Sequence, residues 1–160
     1  MGRTSTMDLS REQVAEELDG VAARLRLDNR ALLKAVAQAQ RVGMVHREIE
    51  KHLDVSQSTV HRLLQKATAD PKALDARPAD IIDQRAAGQI RTEEMMNQLL
   101  SWNYTFGHIP TIDGTATDAH ERGSWDDIER AYYRRLLTED EVSQLMERNR
   151  NALERAARGK

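Results

Sequence analysis

Apolar residues recur every three or four positions over most of this chain, and that spacing predicts helices. Val14, Leu18, Val21 and Leu25 share one side of a first helix, about 10–26. Ser10 with Gln13 three positions on is a capping-box signal at its start. Gly20 weakens this helix without forbidding it. Asp28 is placed to cap a second helix over about 29–42, bearing Leu32, Leu33, Val36 and Val42, with Gly43 as a natural stop. Ile49 and Leu53, four apart, then face a core from a short helix near 45–53. Val60, Leu63 and Leu64 do the same from a helix near 56–68, with Val55 just past the turn between them. Residues 29–68 therefore predict a tri-helical unit, with the helix over 10–26 as an extra brace or a dimerisation arm.

Asp70-Pro71 to Pro78 punctuates the chain and reads as a linker. No alternating Val/Ile/Thr hairpin precedes it, so no β-wing is expected. Pro78 can open a short helix ending near Gly88, and Thr92 can cap another through Leu100, with Glu93 and Glu94 suited to the helix dipole. Ser124 with Asp127 three positions on marks a further start, bearing Ile128, Tyr132 and Leu136. Thr138 to Glu141 is a full capping box for a last helix with Val142, Leu145 and Met146, running out into an Arg-rich tail. Residues 103–123 lack helical periodicity. Loops of that length usually carry a function or hide a short strand.

Charge and aromatic content divide the chain at about the same place. The net charge is −2, but residues 1–74 carry +2, residues 75–147 carry −8 and residues 148–160 carry +4. All six aromatic residues lie between 102 and 133. The front is thus aliphatic and mildly basic, and the back aromatic-bearing and acidic. An acidic body is repelled by a phosphate backbone, so any nucleic-acid contact belongs to the front. No run of about 18 apolar residues predicts a membrane span. The start M-G-R-T-S-T-M-D lacks a signal-peptide core and reads as a loose tail. With no cysteine, disulfides and thiolate metal sites are excluded, which suits a cytoplasmic protein.

Val45 to Lys66, V-H-R-E-I-E-K-H-L-D-V-S-Q-S-T-V-H-R-L-L-Q-K, carries the functional signal. A helix that enters a DNA groove needs an N-terminal turn without bulky apolar groups. Ser56 is a good N-cap, and Gln57, Ser58 and Thr59 fill that turn. Gln can read adenine, Ser and Thr serve several bases or a phosphate, and Arg62 can reach guanine or the backbone. His61, Gln65 and Lys66 extend the polar surface. The stretch resembles the helix-turn-helix of bacterial transcription regulators over about 29–68, a quarter of the chain. The resemblance implies that S-Q-S-T-V-H-R leads the recognition helix. It further implies that His46 and Arg47 contact the DNA backbone from the first motif helix, and Arg41 from the helix before it. Two residues depart from the pattern: Glu50 stands where a small residue is usual, and Asp54 where Gly is usual. Asp tolerates the left-handed conformation better than most residues; Glu50 must turn outward or find a cation such as Arg47.

The expected architecture is all-α: an N-terminal tri-helical helix-turn-helix bundle (1–69), a linker (70–78) and a smaller acidic helical unit (79–160) with a basic tail. The expected function is sequence-specific binding of double-stranded DNA as a transcriptional regulator, a repressor by analogy, with homodimerisation to match paired half-sites. The alternative is an antitoxin-like layout, in which residues 79–157 bind a protein partner while the front represses transcription. No enzyme, cofactor, metal or membrane role is expected. His108, Asp113, Asp118, His120 and Glu121 match no defined metal-ligand spacing. Trp125, Tyr132 and Tyr133 are expected in the core rather than as a stacking platform, and Met95-Met96 likewise.

Overall fold

The computed structural model describes residues 10–107 and 122–159, together with the backbone of 111–112 and 115–116. The N-terminal tail and the five metal-ligand candidates of the irregular segment lie outside the described residues. The fold is all-α. Its helices are α1 (Arg11–Arg41), α2 (His46–Leu53), α3 (Gln57–Ala69), α4 (Pro78–Ala86), α5 (Thr92–Leu100), α6 (Trp125–Tyr133), α7 (Glu139–Arg148) and α8 (Arg150–Arg158). A 3₁₀ turn covers Pro71–Leu74, and the irregular segment holds a two-residue antiparallel pair, Thr111–Ile112 (β1) with Thr115–Ala116 (β2).

The first helix differs from expectation. One continuous helix replaces the two predicted on either side of Asp28. Nothing in L-R-L-D-N-R removes a backbone donor or forces a turn, so the polar pair Asp28-Asn29 is simply carried through. The start is as read: the Ser10 and Gln13 side chains each accept the other residue's backbone N–H, at 3.2 and 2.9 Å. The end is as read too, with Gly43 left-handed at φ 83° and the Met44 N–H returning to the Ala39 carbonyl. The apolar stripe Val14, Leu18, Val21, Leu25 is exposed, however, and it is Gly20 and Ala23 on the other side that are buried. A Cβ on Gly20 would stand 3.2 Å from the Ala86 carbonyl oxygen, which explains glycine in mid-helix there.

Two compact units result, Leu25–Ala76 and a second that joins the stretch ending at Arg24 to Arg77–Lys160. The Leu25–Ala76 unit contains the latter part of α1, α2, α3 and the 3₁₀ turn. Val36, Ile49, Val60 and Leu64 form its core, with Ala39, Met44, Leu53, Val55 and Leu63 packed around them. The segment read as a linker is tied down within this unit. Arg30 donates to the carbonyls of Ala73 (2.8 Å) and Asp75 (2.7 Å).

The other unit packs Ile81, Ile82, Met95, Met96, Leu99, Trp125, Ile128, Ala131, Leu137 and Leu145 into one core. Tyr104 meets Trp125 edge-on at 5.0 Å between ring centroids, and its hydroxyl donates to the Leu99 carbonyl at 2.7 Å. Burial, and after it the Asp127 carboxylate, push that hydroxyl's pKa far up, so it stays a neutral donor. Capping differs in places from what the sequence suggests. Thr92 is the first helical residue of α5, and Arg91 occupies the cap. Ser124 does occupy the N-cap of α6, as read, but its hydroxyl accepts the Thr105 N–H at 2.9 Å rather than an N–H of the helix. Asp127 accepts the Ala79 N–H at 3.2 Å, serving the start of α4. The Thr138–Glu141 box forms as read. The last helix does not run on into the tail; it breaks at Asn149, whose side chain donates to the Leu145 carbonyl at 2.8 Å, and α8 follows. Trp125 is buried, but Tyr132 and Tyr133 are 41% and 81% exposed, against the core placement expected of them. The buried face of α6 is set by Trp125, Ile128 and Ala131 at three-residue steps, and the tyrosines follow past its edge.

Residues 105 and 123–125 close the base of the irregular segment. Thr105 N–H donates to Ser124 Oγ and Ser124 N–H to Thr105 Oγ1, both at 2.9 Å, and Trp125 N–H reaches the Thr105 carbonyl at 3.0 Å. Gly123 is required at this approach: a Cβ there would lie 2.3 Å from the Thr105 carbonyl oxygen.

Candidate nucleic-acid interface

α2 and α3 are joined by three residues, Asp54, Val55 and Ser56, whose types set the geometry of the turn. Asp54 is left-handed (φ 53°, ψ 46°), and its N–H returns to the Glu50 carbonyl. A left-handed Asp in place of glycine ends α2 at a modest steric cost. Val55 turns back toward the core, and Ser56, extended at φ −70° and ψ 157°, starts α3 by accepting the Thr59 N–H at 3.2 Å. The buried positions Val60, Leu64 and Ala67 fix which side of α3 faces inward.

The polar residues of α3 then fall into three groups. Ser56 Oγ lies 3.0 Å from Ser58 Oγ and 2.9 Å from Thr59 Oγ1, so the three hydroxyls form one cluster at the helix start. Each hydroxyl can still accept further hydrogen bonds. Gln57 stands exposed beside them. Arg62 and Lys66 follow Ser58 at four-residue steps, both exposed, along one side of the helix. His61 and Gln65 belong to a different surface. With His46 of α2 they line an open groove of about 560 Å³, which Gln40, Leu64, Thr68 and Ala69 complete. Leu64 gives this groove an apolar floor under a polar rim.

Of the eleven residues singled out in the sequence, His46, His61 and Gln65 are thus brought to one groove, and Ser56, Ser58 and Thr59 to one hydroxyl cluster. Gln57, Arg62, Lys66, Arg41 and Arg47 are exposed but do not line the groove. Two polar groove residues were missed. Thr68 was readable, since 61, 65 and 68 share a helix face. Gln40 was not, because only the tertiary packing of α1 brings it there. Glu50 is half-buried and forms no ion pair with Arg47 or any other described cation.

The electrostatics favour an anionic ligand. α3 has no acidic residue, and its positive dipole end carries the hydroxyl cluster. The Leu25–Ala76 unit holds 9 Lys/Arg against 6 Asp/Glu. Among the described residues no group of three or more His, Asp or Glu is placed to hold a metal ion. No described helix is long and apolar enough to cross a membrane. Comparison with family models, with curated proteins and with solved structures finds no match to this chain.

Proposed function

We propose that the chain is a double-stranded-DNA-binding transcriptional regulator, acting as a repressor, that places α3 in the major groove. The observation that carries this reading is α3 itself: an exposed, acid-free helix face that opens on a hydroxyl cluster and continues through Gln57, Arg62 and Lys66. Base edges and phosphates demand such donors and acceptors on a helix that can approach closely. Arg47 and Arg41 would serve the backbone, and His46, His61 and Gln65 the flank of the groove.

The test is binding of the full chain to a selected pool of random-sequence duplexes over a range of salt. The logarithm of affinity should fall linearly with the logarithm of salt, by about 0.9 for each phosphate neutralised. Arg62→Ala and Gln57→Ala should each flatten the preferred sequence by about 1–3 kcal/mol, whereas Arg47→Ala should weaken all sequences alike and reduce the slope by about one. Duplex binding that is absent or indifferent to salt would sink the proposal.

A second reading, an antitoxin-like protein whose acidic body holds a protein partner, is favoured by one observation. Tyr132 and Tyr133 sit side by side at 6.0 Å, exposed, next to an open hollow of about 450 Å³ that Leu137 and Arg135 help to line. Exposed tyrosines, with arginine, are among the residues that most often anchor protein interfaces.

A further inference from the structure

We infer that α1 pairs with α1 of a second copy in antiparallel orientation, through the stripe Val14, Leu18, Val21, Leu25. The stripe repeats at steps of 4, 3 and 4 along a single helix, the spacing of a coiled-coil seam. No described residue covers it: Leu18 and Leu25 are 62% and 58% exposed and Val14 and Val21 39% and 38%, while Gly20 and Ala23 on the opposite side are buried. The helix is already built and held by the folded body, so pairing pays none of the nucleation cost that defeats short isolated coiled coils.

Charge identifies the occupant. In the antiparallel register that seats Leu18 against Val21 of the other copy, Val14 meets Leu25. The next position outward on the same seam sets Arg11 against Asp28, and the flank of the seam sets Glu17 against Arg24. Two-fold symmetry repeats every one of these contacts, so each cation in the seam or on that flank meets a carboxylate. On the other flank Ala15 meets Ala22, leaving room for close approach. All four charged residues are exposed and form no ion pair with described residues. A parallel pair would instead put Asp28 against Asp28 and Arg11 against Arg11, and would leave Glu17 facing Ala22. Like charges opposed in a seam disfavour that arrangement. The pairing does not depend on the DNA reading, and either can fail alone.

The chain has no cysteine, which allows a direct test. Sedimentation equilibrium of the full chain should give twice the monomer mass of 18.2 kDa, and Leu18→Asp should return it to monomer with unchanged helicity. Glu17→Arg or Arg24→Glu alone should weaken the dimer by about two- to tenfold, and the double exchange should restore it. Val14→Cys and Leu25→Cys chains, mixed and exposed to oxidant, should cross-link only to each other. Like positions are offset by roughly 16 Å along the antiparallel pair, at about 1.5 Å per residue. A monomer at high micromolar concentration overturns the inference. So does a dimer that Leu18→Asp leaves unchanged, or self-cross-linking of Val14→Cys alone.

Discussion

The two compact units spend their polar residues in opposite ways. The Leu25–Ala76 unit has a small aliphatic core built on Val36, Ile49, Val60 and Leu64, and the hydroxyls, amides and cations of α3 stay at its surface. The other unit has a core of ten buried side chains, one of them aromatic, with Tyr104 and Phe106 packed against it. It turns an ion pair inward. Arg85 grips Glu141 through both guanidinium ends, at 2.6 and 3.1 Å, and donates to the Leu136 carbonyl at 2.6 Å. Burial pushes the Glu141 carboxyl up, but the hydrogen bonds from Arg85 and Thr138 and the Arg85 charge outweigh it, holding the pKa below the usual range. A polar group committed inside a fold cannot recognise a ligand. The contrast leaves the polar side chains of α3 open to solvent and makes the Arg85–Glu141 pair part of the architecture.

Substitutions can break this comparison, and the largest effect belongs to the larger core. Leu99 is fully buried, so Leu99→Ala should cost about 3–4 kcal/mol in a denaturant titration. Fluorescence of Trp102 and Trp125, both packed in or on that core, reads the transition. A loss under about 1 kcal/mol would mean that the core is loosely packed.

Arg85→Ala should cost about 2–3 kcal/mol, less than for a fully buried pair because its side chain keeps 20% of its exposure. The pH dependence has a definite sign. Glu141 is lowered in the fold, so its contribution is complete above the ordinary glutamate value of about 4.3 and disappears as pH falls through the lowered folded value. The gap between wild type and Arg85→Ala should close over that acidic window. A gap that is constant with pH would make the pair a packing contact only.

The smallest effect tests the other unit. Ser56→Ala removes the N-cap of α3 and the hub of the hydroxyl cluster, and should cost about 1 kcal/mol. Faster hydrogen exchange at the Thr59 amide would report it; unchanged protection would mean that the α3 start is held by packing alone.

The helix-level pattern was legible wherever a local signal governed it. The Ser10, Ser56 and Thr138 caps, the Gly43 and Gly88 stops and the Asp54 turn all depend on residues within a few positions of one another. Reading failed where a distant group decided the outcome. Ser124 stands at the cap, but Thr105, nineteen residues away, takes its hydroxyl. Asp28 looks like a helix start, but an Asn-Arg sequence after it does nothing to end α1. The stripe on the first part of α1 has the period of a buried face, and period alone cannot distinguish a face covered by its own chain from one left open. Nor could it separate Tyr132 from the core, since one step around α6 divides buried Ala131 from solvent. At the candidate site the residues of α2 and α3 were readable one by one. The hydroxyl cluster and the cationic side of α3 are local to that helix, whereas the groove was not fully readable, because Gln40 reaches it only through the packing of α1.

The clasp between Thr105 and Ser124 makes the chain between them a cassette. Its two ends are joined by three hydrogen bonds and a glycine approach that belong to the helical body, so the entropy of bringing those ends together is met by residues outside the insert. Closing a loop grows costlier only slowly with length, about 0.6 kcal/mol for each doubling. A longer segment above this clasp should therefore cost little stability and leave both cores as they are.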